Sequence, residues 1–201
     1  MDKEVNIVTD EKILNLPSYE IDTKKENSLL TEIVLALKDT LRSHPEGIGL
    51  SAIQIGYNKR VFVVRFGNEY RTFVNPIISK FSKPTWSVEG CLSIPNERYA
   101  VMSFDEIEAF YQTPLGKNMS VRLRGAAARV FQHEYNHLNG LTIKDHGLEW
   151  SDELDKLSEE EKQALFMEFA KTLDEKQKEK EKDKNATNDA NTTTQDNNKQ
   201  N

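Results

Sequence analysis

The chain lacks most of what would take a protein out of a reducing aqueous interior. Cys91 is its single cysteine among 201 residues, so no internal disulfide can form and a reducing compartment is expected. No apolar run approaches the length of a membrane span. The opening Met1-Asp2-Lys3-Glu4-Val5-Asn6 has no apolar core of the kind a secretory signal needs. These absences predict a cytoplasmic protein without membrane contact. Positive charge is not in excess either: 33 Asp+Glu outweigh 27 Lys+Arg, and the basic residues are interleaved with acids. That balance argues against broad nucleic-acid binding. No internal repeat and no second domain is visible. After Leu173 no residue more apolar than alanine occurs. Such a segment cannot bury enough apolar surface to offset its ordering entropy. The expectation is one domain over 1–173 and a disordered charged and polar tail over 174–201; nothing in the composition supports a docking role for the tail.

What is present predicts an α+β domain. Leu30, Ile33, Val34, Leu37 and Leu41 fall at helical spacing within Ser28 to Leu41, with Ser28 placed to cap the start. Arg60 to Phe66 and Thr72 to Val74 read as strands around a Gly67-Asn68 turn. Ile107 to Tyr111 and Met119 to Leu123 read as strands around a turn at Thr113-Pro114-Leu115-Gly116. Ala126, Ala127, Val130, Phe131 and Leu138 fit one helix that Gly140 stops. A final amphipathic helix runs from Ser158 to Leu173, opened by a Ser158–Glu161 capping box and striped by Leu165, Phe166, Phe169 and Leu173.

The helix ending at Leu138 carries His133-Glu134-Tyr135-Asn136-His137. Residues four apart share a helix face, so both histidines can grip one ion. Glu134 stands beside that ion without having to ligate it, which suits a carboxylate that shuttles a proton for metal-activated water. A catalytic metal usually takes three protein ligands. His44, His146 and several carboxylates qualify by type, and Cys91 in Glu89-Gly90-Cys91-Leu92-Ser93-Ile94-Pro95 is the sharper candidate. By type alone, a lone cysteine is more often a small buried hydrophobe.

A third segment, Gly47-Ile48-Gly49-Leu50-Ser51-Ala52-Ile53-Gln54, reads by itself as a turn feeding a strand. Taken in order, however, the three segments resemble the peptide deformylase family. That family carries a G-x-G-L-A-A-x-Q segment, then E-G-C-L-S, then Q-H-E-x-D-H. The resemblance runs from about Asn6 to Asp145 and includes Asn75-Pro76. It implies mixed or antiparallel sheets around a central metal-binding helix. It implies that Cys91, His133 and His137 hold one divalent metal, typically ferrous iron, with zinc, nickel or cobalt as substitutes. Glu134 would be the proton shuttle, and the Gln54 amide and Leu92 N–H would donate to the developing oxyanion. Ile48, Gly49 and Gly90 would meet the peptide backbone as if it were an added strand. Val130, Ile48 and His133 would line an apolar side-chain pocket, and Arg98 would lie near the substrate backbone unless it is a solvated surface charge. The implied activity is removal of formyl from N-formylmethionyl ends of nascent chains, by a monomer working where the ribosome delivers those ends.

The chain departs from the family pattern at three places. Asn136 stands where the family has aspartate. Val101-Met102-Ser103 replaces a Val-Pro-Arg-like stretch. Ser51 replaces an alanine, a mild change. The first two changes predict an Asp–Arg pair exchanged for an uncharged Asn136–Ser103 contact. Two other readings remain at this point. A metalloprotease shares H-E-x-x-H but leaves Glu89 to Ser93 without a purpose. A metal-stabilised, non-catalytic protein would need neither Glu134 nor Gln54.

Overall fold

Alternation along one strand, Val61–Phe66 (β2), organises the molecule. In the computed structural model, which describes residues 6–172, Val61 and Val63 face one apolar cluster and Phe62 and Val64 face another. Side chains alternate across a strand, so β2 is buried on both sides. On the first side lies α2, Asn27–Ser43, whose Leu30, Ile33, Val34, Leu37 and Leu41 are buried as their spacing requires. On the second lies α3, Ala126–Leu138, with Ala128, Phe131 and Leu138 against Phe62 and Phe73. The Phe62 and Phe131 rings meet edge-on with centroids 5.0 Å apart.

The sheet is antiparallel with the order β1–β2–β3–β4–β5 and a sixth strand, β6, paired to β4. Strand β1 is Gly49–Ser51, β3 is Glu69–Cys91, β4 is Ile94–Gln112, β5 is Asn118–Arg124 and β6 is Gly147–Glu149. The Gly67-Asn68 turn joins β2 to β3 as expected, with Gly67 at φ 62°, a value natural at the first turn position of a tight hairpin. The strand after that turn is far longer than Thr72 to Val74. It continues to Cys91, and β4 returns from Ile94. Much of this arm is half-exposed, and register shifts break it into short stretches, so no sustained alternation marks it in the sequence. Asn75 is one break, at φ 47°. Its amide clamps the N-terminal segment: Oδ1 accepts from Ile21 N at 3.0 Å, and Nδ2 donates to Ile21 O and Gln112 Oε1.

Ser28 does not cap α2. The helix begins one residue earlier, and Glu26, with no side-chain cap bond, holds the cap position. Gly140 does stop α3: it sits at φ 71° and donates its N–H to His137 O. Beyond it, α4, Ile143–His146, starts at a Thr142–Asp145 capping box and buries Ile143 against Ile94, Tyr99 and Val101.

The chain divides into two compact units, one ending at Ser151 and one beginning at Asp152. In the second, α5 spans Asp152–Asp155 and residues 159–172 are helical. Its capping box is formed: Ser158 N donates to Glu161 Oε2 at 2.8 Å, and Glu161 N donates to Ser158 Oγ at 3.2 Å. Leu173 and the expected tail over 174–201 lie outside the described residues. No helix among the described residues is long and apolar enough to cross a membrane.

Candidate metal and catalytic site

Helix α3 presents His133 and His137 on one face, with ring centroids 5.1 Å apart. The β3–β4 turn brings Cys91 to the same point. The three ligand atoms lie within 4.8 Å of one another, and Cys91 Sγ is 3.3 Å from His137 Nε2. One thiol and two imidazoles converging this closely form a donor set for a divalent ion. Cys91 is therefore more than a buried hydrophobe. His44 and His146 are not in the cluster: His44 Nδ1 sits 2.9 Å from Thr40 O at the end of α2, and His146 meets Asn136.

Glu89 holds the set in place. His133 Nδ1–H donates to Glu89 Oε2 at 2.9 Å, and Ser87 Oγ donates to Glu89 Oε1 at 2.9 Å. The Nδ1 proton fixes the tautomer and leaves Nε2 for an ion. The sequence reading assigned Glu89 no role; its place two residues before Cys91 was the only signal. Burial opposes a charge on His133, yet its bonds to Cys91 and Glu89 and the nearby negative charge hold its pKa well above the ordinary value. Burial, joined by the positive charge of His133, holds His137 well below.

Glu134 is buried between α3 and β1. Its Oε2 accepts from Ser51 Oγ at 2.7 Å. Burial pushes its carboxyl up to about 6, against the opposing pull of His133 and the Ser51 bond. Gly49 lies against the same carboxyl group; a Cβ there would come within 2.5 Å of Glu134 Oε1. Gly49 is thus required by close approach and not by a left-handed backbone.

Gln54 closes the site from the turn Ala52–Ile55. Its Oε1 accepts from Ser51 N at 2.9 Å, which fixes the amide the other way round. Nε2 then points at Cys91 Sγ, 3.4 Å away, and at Ser93 Oγ, 3.2 Å away. Leu92 lies in the two-residue turn between Cys91 and Ile94.

The expected substrate contacts are placed unequally. Strand β1 is an edge of the sheet. The Ile48 carbonyl accepts from Arg65 N and is committed to β2, so by alternation the backbone groups of Gly49 face the open edge. The Ile48 side chain is half-exposed. Gly90 precedes Cys91 where one residue of β3 faces residues 95–98 of β4, and Arg98, in that bulged segment, is exposed. Val130 is half-buried against the core one helical turn before the motif. A cleft of about 170 Å3 opens beside His133 and Glu89, walled by Phe81, Val101, Met102 and Phe104; neither Ile48 nor Val130 lines it. A larger cleft of about 580 Å3, around Ile77, Phe110 and Met119, contains none of the ligand residues.

The expected Asn136–Ser103 contact is absent. Asn136 Nδ2 lies 3.1 Å from His146 Nε2, which accepts its hydrogen bond. Ser103 Oγ is buried with no hydrogen-bond partner among the described residues. Helix α4 instead brings the His146 ring within hydrogen-bond reach of Asn136.

A family profile described as polypeptide deformylase matches residues 4–154. The curated peptide deformylase of Thermotoga maritima is 41% identical over 103 residues, which is 51% of this chain and 63% of that protein. That of Treponema pallidum is 42% identical over 100 residues, 49% of this chain and 62% of that protein. The chain thus spans somewhat less than two thirds of the length of these relatives. The crystal structure of the Thermotoga maritima enzyme is similar with a TM-score of 0.66 and 33% identity, covering 72% of this chain and 98% of that one. A class I type b peptide deformylase from Acinetobacter baumannii, solved with Met-Ala-Ser bound, is similar with a TM-score of 0.67 and 29% identity, covering 73% of this chain and 99% of that one.

Proposed function

The chain belongs to the polypeptide deformylase family, and on that premise we propose that it is a metal-dependent hydrolase removing the formyl group from N-formylmethionyl ends of nascent polypeptides. The observation that carries the reading is the convergence of Cys91, His133 and His137 beside two further groups, Glu134 and Gln54, that a purely structural ion would not need.

Cys91 Sγ and the two imidazoles fit a divalent ion, which when bound would supply Lewis acidity to the water and to the formyl oxygen. We assign iron as the native metal, with zinc, nickel or cobalt as substitutes; a thiolate and two imidazoles accept any of them. Glu134 takes the proton of the attacking water and later delivers it to the departing amine. Its burial, which raises the carboxyl toward neutrality, suits a group that must both accept and release. The Gln54 Nε2–H and the Leu92 N–H donate to the formyl oxygen as it gains charge. Ser51 N holds the other end of the Gln54 amide, which keeps Nε2 as the end that faces the site. The peptide lies along the open edge of β1, with Gly49 and Gly90 offering backbone groups, Ile48 and Val130 flanking its first side chain, and Arg98 near its backbone. The ribosomal exit in the cytoplasm is where a monomer of this kind would meet such ends.

The experiment is formate release by anaerobically purified, iron-loaded protein from a short N-formylmethionyl peptide and its N-acetyl counterpart. Formate from the first, with no acetate from the second, is the expected result. No formate from protein holding one metal per chain would overturn the reading.

A further inference from the structure

The hydroxyl of Ser51 stands in the site where the family pattern has the methyl group of an alanine. We infer that Ser51 is a positioning residue for catalysis: its hydroxyl clamps one oxygen of the Glu134 carboxylate, so that the other carries the proton. This rests on the deformylase reading above, and on Glu134 as its proton shuttle.

Ser51 is fully buried, at the junction of β1 with the turn that holds Gln54. Its Oγ lies 2.7 Å from Glu134 Oε2 and 3.0 Å from Glu134 O. A hydroxyl has one proton to give. An ionised carboxylate only accepts, and a bond to it is shorter and stronger than one to a neutral carbonyl, so the 2.7 Å contact takes the proton. The other carboxylate oxygen, Oε1, rests against Gly49, where no side chain intervenes.

The two oxygens of Glu134 are therefore unequal. Oε2 is held by Ser51 through sequence-distant packing of β1 on α3. Oε1, which rests against Gly49, is the oxygen left to meet water. Ser51 also joins the two catalytic groups, since its N–H orients the Gln54 amide while its Oγ orients Glu134. An alanine at 51 would keep the first of these links and lose the second. The carboxylate would then rotate about its last bond and share the proton between two oxygens, only one of them facing the reaction.

The test is Ser51→Ala, assayed as the iron-loaded full chain on a formylmethionyl peptide. The substitution only removes an atom, so the fold and metal content should hold. We expect kcat to fall about tenfold, the scale of one charge-assisted hydrogen bond, with KM unchanged and one metal per chain. A structural defect would instead move KM, metal content or melting temperature with kcat. Unchanged kcat, or a loss in kcat matched by loss of metal, would overturn the inference while wild-type formate release left the deformylase reading standing. A wild-type protein that releases no formate would overturn both.

Discussion

Gly49 and Glu134 approach so closely that a methyl group on Gly49 would sit 2.5 Å from Glu134 Oε1 and 2.8 Å from Cγ. The carboxylate is buried and tied to Ser51, so it cannot step aside without leaving its working position. Gly49→Ala should lower kcat about a hundredfold, the scale of an ångström-sized misplacement of a catalytic group. Metal content and circular dichroism should stay as in the wild type. Undiminished turnover would mean that the carboxylate works from elsewhere.

Glu134→Ala should abolish formate release and leave the metal bound, because the candidate donor set is Cys91, His133 and His137, without Glu134. Metal analysis alongside the assay separates the roles: loss of the ion would make Glu134 a ligand.

Glu89→Ala removes the acceptor that fixes the His133 ring. The expected effect is a ten- to hundredfold loss of metal affinity, roughly the usual weight of a carboxylate behind a ligating histidine. Competition with a chelator measures it, and an unaltered affinity would show that packing alone orients the imidazole.

Asn136 and Ser103 should behave as independent sites. Asn136→Ala strands His146 Nε2 and should cost about 1–2 kcal/mol of stability. Ser103→Ala removes a buried hydroxyl without a partner and should be neutral or stabilising. Urea titrations of both and of the double variant give the coupling; a large interaction energy would restore the direct contact that the structure lacks.

Glu106 on β4 anchors a cross-strand cluster with Lys83 Nζ at 2.6 Å, Arg122 Nη2 at 2.9 Å and Arg124 Nε at 3.4 Å. Its hydrogen bonds to Lys83 and Arg122 hold its carboxyl down to about 2, against an ordinary 4.5. A lowered folded-state value means the stabilisation is complete above the ordinary value and drains away as pH falls toward 2. Glu106→Gln should therefore melt below the wild type at neutral pH, with the gap closing between pH 4.5 and 2. A gap that is constant with pH would assign the effect to packing.

The sequence by itself determined whatever depends on near neighbours. The apolar stripe of α2 and the pairing of His133 with His137 follow from 3.6-residue periodicity, which one stretch of chain carries alone. The Gly67 and Gly140 stops follow from local backbone needs. Ordered motifs identified the family before any geometry. Tertiary structure decided what depends on distant chain. Cys91 and His137 are 46 residues apart, and Ser51 and Glu134 are 83 apart. Packing of β1 and the long hairpin on α3 brings them together, and no periodicity encodes such a meeting. The hairpin arm itself was invisible because it is half-exposed and irregular in register, so it shows no sustained alternation. The partner of Asn136 was misjudged for a related reason. Residue type says what a side chain can bond, and only the path of the backbone puts His146, and not Ser103, within 3.1 Å.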